Sequence, residues 1–102
     1  MATSVIRFQE RCLEECREIF RQIPVLRYGD FEKIVGKTGT YFKATVEGPG
    51  HALEVYVYQD EAGYMLDGKR WTIFEKPGYR SENELLEAFL KGLRERLLDI
   101  AK

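Results

Sequence analysis

Five short segments of alternating apolar and polar residues lie between two amphipathic helical segments, and this order restricts the fold more than any other feature. The segments are residues 31–37, 40–47, 52–58, 63–66 and 69–75. Each contains β-branched or aromatic residues and is bounded by turn-forming residues, which predicts a strand. Because the connections are short, consecutive strands are expected to pair as antiparallel neighbours in a five-stranded meander.

The first helix is predicted to run from Thr3 or Ser4 to Gln22. Either residue can cap the helix by accepting a free backbone N–H, and Pro24 ends it because Ile23 is pushed out of the helical region. One face of this helix is apolar and consists of Val5, Phe8, Cys12, Cys16, Ile19, Phe20 and Ile23.

The second helix begins at a capping box, in which Ser81 caps the amide of Glu84 and the Glu84 side chain reaches back. Its apolar stripe consists of Leu85, Leu86, Phe89, Leu90, Leu93, Leu97 and Ile100. Gly92 lies beside this stripe at a cost of about 1 kcal/mol relative to Ala, so we expect the helix to pack closely on the sheet there.

Together these elements predict an α+β fold of order α-β-β-β-β-β-α, a two-layer sandwich with both terminal helices on one face of the antiparallel meander. A chain of 102 residues forms one domain, and we assign residues 1–102 to it. Segments 31–37 and 69–75 are the expected edge strands, where Lys33, Lys37 and Lys69 would discourage pairing with other chains.

Three loops set the expected registers. The 48–51 loop places Glu47 opposite Ala52, the 59–62 loop places Tyr58 opposite Gly63, and an Asp67-Gly68 type I′ turn places Leu66 opposite Lys69. Under these registers one row faces the helices, formed by Phe42, Val57, Tyr64 and Trp71. Tyr56 then faces the other way. The predicted contact surface, and the partner hypothesis with it, depends on Tyr56 and Trp71 lying on opposite faces.

The face away from the helices is predicted to be unusually aromatic, with Ile34, Tyr41, Lys43, Tyr56, Tyr58, Met65 and Arg70 on it. One interpretation is structural, because Tyr41 would lie between Gly36 and Tyr58, with Gly63 beyond, and aromatic rings over sheet glycines cover exposed backbone. The other is an interface, because Tyr, Met and Arg are favoured in contact cores. An interface could serve a homodimer, another protein or a small ligand.

Charge and targeting features narrow the possible partners. Sixteen basic residues against seventeen acidic ones give a net charge of −1, which disfavours nucleic acid, although aromatic rings beside Lys43 and Arg70 could stack single-stranded bases. From its hydropathy we expect no membrane-spanning segment and no signal peptide. With two cysteines, these features predict a cytoplasmic protein.

The candidate catalytic groups do not form a recognisable set. Cys12 and Cys16 lie within an apolar helix face, which favours two buried hydrophobes over a metal or redox site. His51 is the only histidine, and residues 36–39 lack the first glycine of a phosphate loop. We therefore expect no catalytic residue, no metal and no cofactor.

The sequence thus favours a small non-enzymatic interaction module. The alternative is a ligand-binding or enzymatic domain, with a pocket where Trp71 and Tyr64 meet the helices.

Overall fold

Two helices cover one face of an antiparallel sheet, so the predicted α+β sandwich is confirmed. The computed structural model describes residues 3–37 and 39–102, with the side chains of residues 3–7 left out. The elements are α1 (Thr3–Gln22), β1 (Arg27–Tyr28), β2 (Glu32–Gly36), β3 (Gly39–Gly48), β4 (His51–Val57), β5 (Glu61–Leu66), β6 (Arg70–Glu75), a 3-10 turn at Lys76–Gly78 and α2 (Glu82–Ile100).

Both predicted helices have the expected extents, and their apolar faces form the core with the sheet. The Ser81 hydroxyl accepts the Glu84 amide at 3.2 Å, which confirms the cap of α2. Phe8, Cys12, Cys16, Ile19 and Phe20 of α1 are buried. The expected cap by Thr3 or Ser4 and the place of Val5 concern side chains outside the described residues.

Gly92 lies where α2 comes closest to the sheet. A Cβ at this position would lie 2.7 Å from the Tyr64 hydroxyl oxygen and 3.1 Å from Cζ of Phe74. The absence of a side chain lets the helix backbone rest against these two rings, so the expected close packing is confirmed.

The sheet has one more strand than predicted. Both β1 and β2 pair with β3 along the same edge, with Arg27 opposite Glu47 and Glu32 opposite Lys43. Residues 29–31 interrupt this edge and form a bulge, because the register changes by one residue between the two short strands. β6 forms the opposite edge, as expected.

The predicted register is confirmed for β3–β4, but the registers of β4–β5 and β5–β6 are shifted. In β3–β4, Glu47 lies opposite Ala52 and Phe42 opposite Val57, as predicted. In β4–β5, Gly63 lies opposite Tyr56 instead of Tyr58. The turn is two residues tighter than expected, since the Tyr58 amide donates to the Glu61 carbonyl at 2.9 Å. A shift of two residues leaves every side chain on its predicted face.

The β5–β6 register was predicted one residue away from its true position. Asp67 and Gly68 both have positive φ, of 51° and 69°, as a type I′ turn requires. However, Leu66 pairs with Arg70 and not with Lys69, so Lys69 is an extra residue in the strand connection. A slip of one residue exchanges the two faces of β6.

The predicted inner row is therefore wrong at Trp71, and the predicted outer face is wrong at Arg70. Trp71 lies opposite Met65 on the outer face, the same face as Tyr56, and Arg70 lies opposite Leu66 on the helix side of the edge. Phe74 packs against Phe89 of α2 in the role expected of Trp71, with ring centroids 5.9 Å apart. The contact surface as predicted, with Arg70 and without Trp71, does not exist.

Candidate functional site

The outer face of the sheet, meaning the face away from α1 and α2, is built by alternate residues of β1 to β6. The β3–β4 register places Lys43 opposite Tyr56, and Tyr41 pairs with Ile34 of β2. Because alternate residues of a strand share a face, Tyr58 follows Tyr56 onto this side.

Six of the seven predicted site residues lie on this face, namely Ile34, Tyr41, Lys43, Tyr56, Tyr58 and Met65. Arg70 is the exception, and Trp71 and Ile73 were missed. The sequence of β6 does not indicate which of its faces turns towards the helices. Each face carries one aromatic residue, Trp71 on one and Phe74 on the other.

Four of the side chains on this face form an aromatic cluster, which we define as Tyr41, Tyr56, Tyr58 and Trp71. The rings of Tyr41 and Tyr58 stack with centroids 4.9 Å apart, and Trp71 meets Tyr56 edge-on, also at 4.9 Å. Tyr56 and Tyr58 are nearly parallel at 6.4 Å. Such pairs contribute about 0.5–1.5 kcal/mol each beyond the area they bury, so the cluster stabilises this face of the sheet.

Trp71 remains 41% exposed although it is part of this cluster. The helices cover only the other face, and Tyr64, the other residue of the predicted pocket, is buried against Gly92 on that side. The pocket expected between Trp71, Tyr64 and the helices therefore cannot have that lining.

Gly36 supports the structural interpretation of part of the cluster. A Cβ on Gly36 would contact Cε1 of Tyr41 at 3.9 Å, so the Tyr41 ring lies over this edge backbone. Trp71 lies opposite Met65 and diagonal to Gly63, as Tyr41 lies diagonal to Gly36.

Lys43 is held within the outer face by an ion pair. Its Nζ lies 2.8 Å from a carboxylate oxygen of Glu54 and 5.8 Å from the ring centroid of Tyr56. The hydrogen bond to Glu54 is the main cause that raises the pKa of Lys43, and burial is the main cause that raises the pKa of the Tyr56 hydroxyl. Lys43 is thus charged, but its charge is matched by Glu54.

The strand registers give the outer face an acidic character. Five carboxylates project from it against two cations, Arg27 and Lys43, so this face carries a formal charge of −3. The carboxylates belong to Glu32, Glu47, Glu54, Glu61 and Glu75. Since the whole chain has a net charge of −1, the remainder of the molecule carries +2.

One end of the outer face concentrates this negative charge. Glu61 and Glu75 lie directly opposite each other in the ladder, and Asp60 precedes Glu61. Partial burial, followed by the charges of Glu75 and Asp60, raises the pKa of Glu61. Asp60 and Glu61 also line a groove of about 380 Å³, together with Tyr41 and Tyr58.

His51 has a carboxylate partner that the sequence did not indicate. Its Nδ1 lies 2.7 Å from Oδ2 of Asp67, whose Oδ1 accepts the Ala52 amide at 2.9 Å. These bonds connect the 48–51 loop to the Asp67-Gly68 turn. No group of three or more metal-ligating side chains occurs among the residues that the structure describes.

The two cysteines are free thiols buried in the core. Burial raises the pKa of Cys12 to about 12 and raises that of Cys16 as well. A thiol that stays protonated is a poor nucleophile and metal ligand, so this pair behaves as the two small hydrophobes that the sequence indicated.

Comparison with known proteins does not assign the chain to a family. No protein-family model, curated protein or solved structure matches it. In the part of the chain that the structure describes, neither helix is apolar enough over a sufficient length to span a membrane.

Proposed function

We propose that this chain is a non-enzymatic interaction module whose outer sheet face binds a protein segment with apolar side chains at its centre and lysines or arginines around them. The observation that carries the proposal is Trp71, which is 41% exposed and meets Tyr56 edge-on at one end of the aromatic cluster. Exposed aromatic residues of this kind are the anchors most often found at binding hot spots.

The charge of the outer face supports a basic partner. With a formal charge of −3 it attracts cations, and two copies placed face to face would repel each other. The same charge disfavours nucleic acid on this face, since the phosphate backbone requires unpaired cations and Lys43 is paired with Glu54.

The state of the candidate catalytic groups supports a non-enzymatic role. Both thiols are buried with raised pKa values, and the described hydrogen-bond partner of the His51 side chain is the carboxylate of Asp67. Free cysteines are also typical of the reducing cytoplasm, which we propose as the location.

A titration with defined probes tests this proposal. The cationic probe is a twelve-residue peptide of alternating lysine with leucine and phenylalanine, and its control carries glutamate in place of every lysine. We expect the cationic peptide to shift backbone amide resonances of β3 to β6 and the fluorescence of Trp71, the only tryptophan. Binding should weaken with added salt and fall about tenfold or more in Trp71→Ala, as hot-spot truncations do.

The controls separate the alternatives. Leu98, exposed on α2, provides the matched variant Leu98→Ala, which should bind the peptide unchanged. Equal binding of the glutamate peptide, or amide shifts spread over α1 and α2, would overturn the proposal. Shifts of the same strands by a single-stranded oligothymidine would favour nucleic acid instead.

A further inference from the structure

The groove at the β4–β5 turn combines two aromatic rings with two carboxylates. Tyr41 of β3 and Tyr58, which follows β4, contribute the rings, and Asp60 and Glu61 contribute the carboxylates. The turn holds these groups together, because the Tyr58 amide donates to the Glu61 carbonyl at 2.9 Å. Both tyrosines are only half-buried, so part of each ring remains open to the groove.

The carboxylates of this groove are not neutralised by a neighbouring side chain. Among the side chains that the structure describes, no Lys, Arg or His nitrogen lies within 4.0 Å of the Asp60 or Glu61 carboxylate. Burial and then the charges of Glu75 and Asp60 raise the pKa of Glu61. Burial, the two neighbouring tyrosines and then the charge of Glu61 raise the pKa of the Tyr58 hydroxyl, so the carboxylate and the ring are close together. A cation placed here would relieve this repulsion.

Another part of the outer face shows what a carboxylate beside a tyrosine ring can hold. Nζ of Lys43 lies 2.8 Å from the carboxylate of Glu54 and 5.8 Å from the ring centroid of Tyr56. A cation between these two kinds of group is therefore already part of this surface. Glu61 and Tyr58 repeat the same pair of groups in the groove, which has room for a cation from outside the chain.

We propose that this groove binds the guanidinium group of an arginine in the partner segment. The inference rests on the proposed function and deepens it, because it assigns the type and the position of one of the partner's cations. A guanidinium is planar, so it can stack on a tyrosine ring while its N–H groups donate to a carboxylate. The ammonium of lysine is a compact and strongly hydrated point charge, so it gains less from the same groups.

A metal ion fits the groove less well than an organic cation. Calcium takes about six to eight oxygen ligands, whereas the groove offers the carboxylates of Asp60 and Glu61. The described side chains form no group of three or more metal-ligating residues. The two aromatic rings would also contribute nothing to a metal ion that binds oxygen, but they suit a guanidinium.

Two small amides test the groove without the rest of a partner. The probes are N-acetylarginine amide and N-acetyllysine amide at equal ionic strength, added to the full chain while its backbone amide resonances are recorded. We expect the arginine amide to shift the resonances of Tyr41 and of residues 58–61. It should bind about threefold more tightly than the lysine amide, as one exposed cation–π contact allows. Equal binding of the two amides, or the same shifts with calcium chloride, would overturn the proposal.

Single substitutions test the two kinds of group. Glu61→Gln and Tyr58→Leu should each abolish the preference for arginine, whereas Tyr58→Phe keeps the ring and should preserve it. Glu47→Gln is the matched control, since it removes the same formal charge from the outer face but lies opposite Arg27, away from the groove. The amide spectrum shows whether each variant is folded. Equal losses in Glu47→Gln and Glu61→Gln would show a general attraction of cations and overturn the site.

An arginine version of the twelve-residue peptide separates this inference from the proposed function. It should bind more tightly than the lysine peptide, and the difference should disappear in Glu61→Gln but persist in Trp71→Ala. If both peptides bind equally and both depend on Trp71, the proposed function stands and the arginine site is wrong. If neither peptide binds but the arginine amide occupies the groove with the expected variant effects, the arginine site stands and the proposed function is wrong.

Discussion

Trp71 meets the ring of Tyr56 edge-on, with centroids 4.9 Å apart and the ring planes at 74°. The two residues are on strands separated by β5, and the contact exists only because Trp71 projects from the same face as Tyr56. It identifies the face of β6 that turns away from the helices. Phe74 belongs to the other face, where its ring packs against Tyr64 and Phe89.

Because Trp71 and Phe74 lie on opposite faces of β6, replacing each with alanine should lower the free energy of unfolding by different amounts. Trp71→Ala should lower the free energy of unfolding by about 1 kcal/mol, since it removes one edge-on pair on a partly exposed surface. Phe74→Ala should lower it by about 3 kcal/mol, because it leaves a cavity between the sheet and α2. Urea unfolding of both variants measures the difference. A larger loss for Trp71→Ala would contradict the register of β6.

The sequence was sufficient to predict the register of two strands where only one loop conformation was compatible with their alternation of apolar and polar residues. The 48–51 loop is such a case, and it fixed the faces of Phe42 and Tyr56 correctly. The Asp67-Gly68 turn was also recognised correctly, but the extra residue Lys69 after it was not. Hydrophobic alternation could not reveal this slip, because exchanging Trp71 for Phe74 leaves an aromatic residue on each face.

Other parts of the structure depend on contacts that are distant in sequence. β1 is too short for a pattern of alternation and forms because β3 extends far enough to pair with it. The partner of His51 is sixteen residues away and becomes apparent only when the two connecting loops meet. The acidic character of the outer face likewise follows from the registers and not from the net charge, which is close to neutral.

The charge of the outer face predicts how ions quench Trp71 fluorescence. A surface with negative formal charge concentrates cations and repels anions, so caesium should quench Trp71 more efficiently than iodide at low ionic strength. N-acetyltryptophanamide corrects for the intrinsic efficiencies of the two ions, and added sodium chloride should remove the difference by screening. Preferential quenching by iodide would contradict the acidic environment.

Adding one methyl group at Gly63 is expected to destabilise the protein. A Cβ at this position would lie 2.5 Å from the Thr72 carbonyl oxygen and 3.1 Å from Cα of Ile73, both backbone atoms. Because backbone cannot move aside without disturbing the β5–β6 ladder, Gly63→Ala should cost about 1–3 kcal/mol of stability. Gly78→Ala is the matched control, since no atom lies within 4 Å of its Cβ position, and it should change stability by less than about 0.5 kcal/mol. Equal unfolding midpoints for the two variants would argue against the close approach.

The Asp67 carboxylate is expected to stabilise the folded protein at neutral pH and to lose this effect in acid. The Ala52 amide and then the His51 side chain lower the pKa of Asp67 below its ordinary value. A lowered folded-state pKa stabilises the fold above the unfolded pKa of about 3.9, and this contribution is lost as the pH falls through the folded value. Asp67→Asn tolerates the same positive φ, so it should be less stable than the wild type at pH 7 and approach it in acid. Denaturant midpoints at both pH values measure this, with the exposed Glu87→Gln on α2 as control. A stability difference that grows in acid would contradict the assignment.

Burial of the two thiols predicts that they react only after the core opens. Cys12 and Cys16 are 0% exposed, and the pKa of Cys12 is raised to about 12, so the thiolate needed for disulfide exchange is scarce at pH 8. We expect a chromogenic disulfide reagent to modify neither thiol promptly in the native protein and both in guanidinium chloride.

If opening and closing of the core are fast relative to modification, the slow rate of thiol modification in the native protein reports the free energy of the opening that exposes the interface of helix α1. Phe74→Ala, which weakens the same core, should accelerate this rate, whereas Trp71→Ala should change it far less. Prompt reaction of one thiol in the native wild type would show that α1 does not cover the sheet as the buried residues indicate.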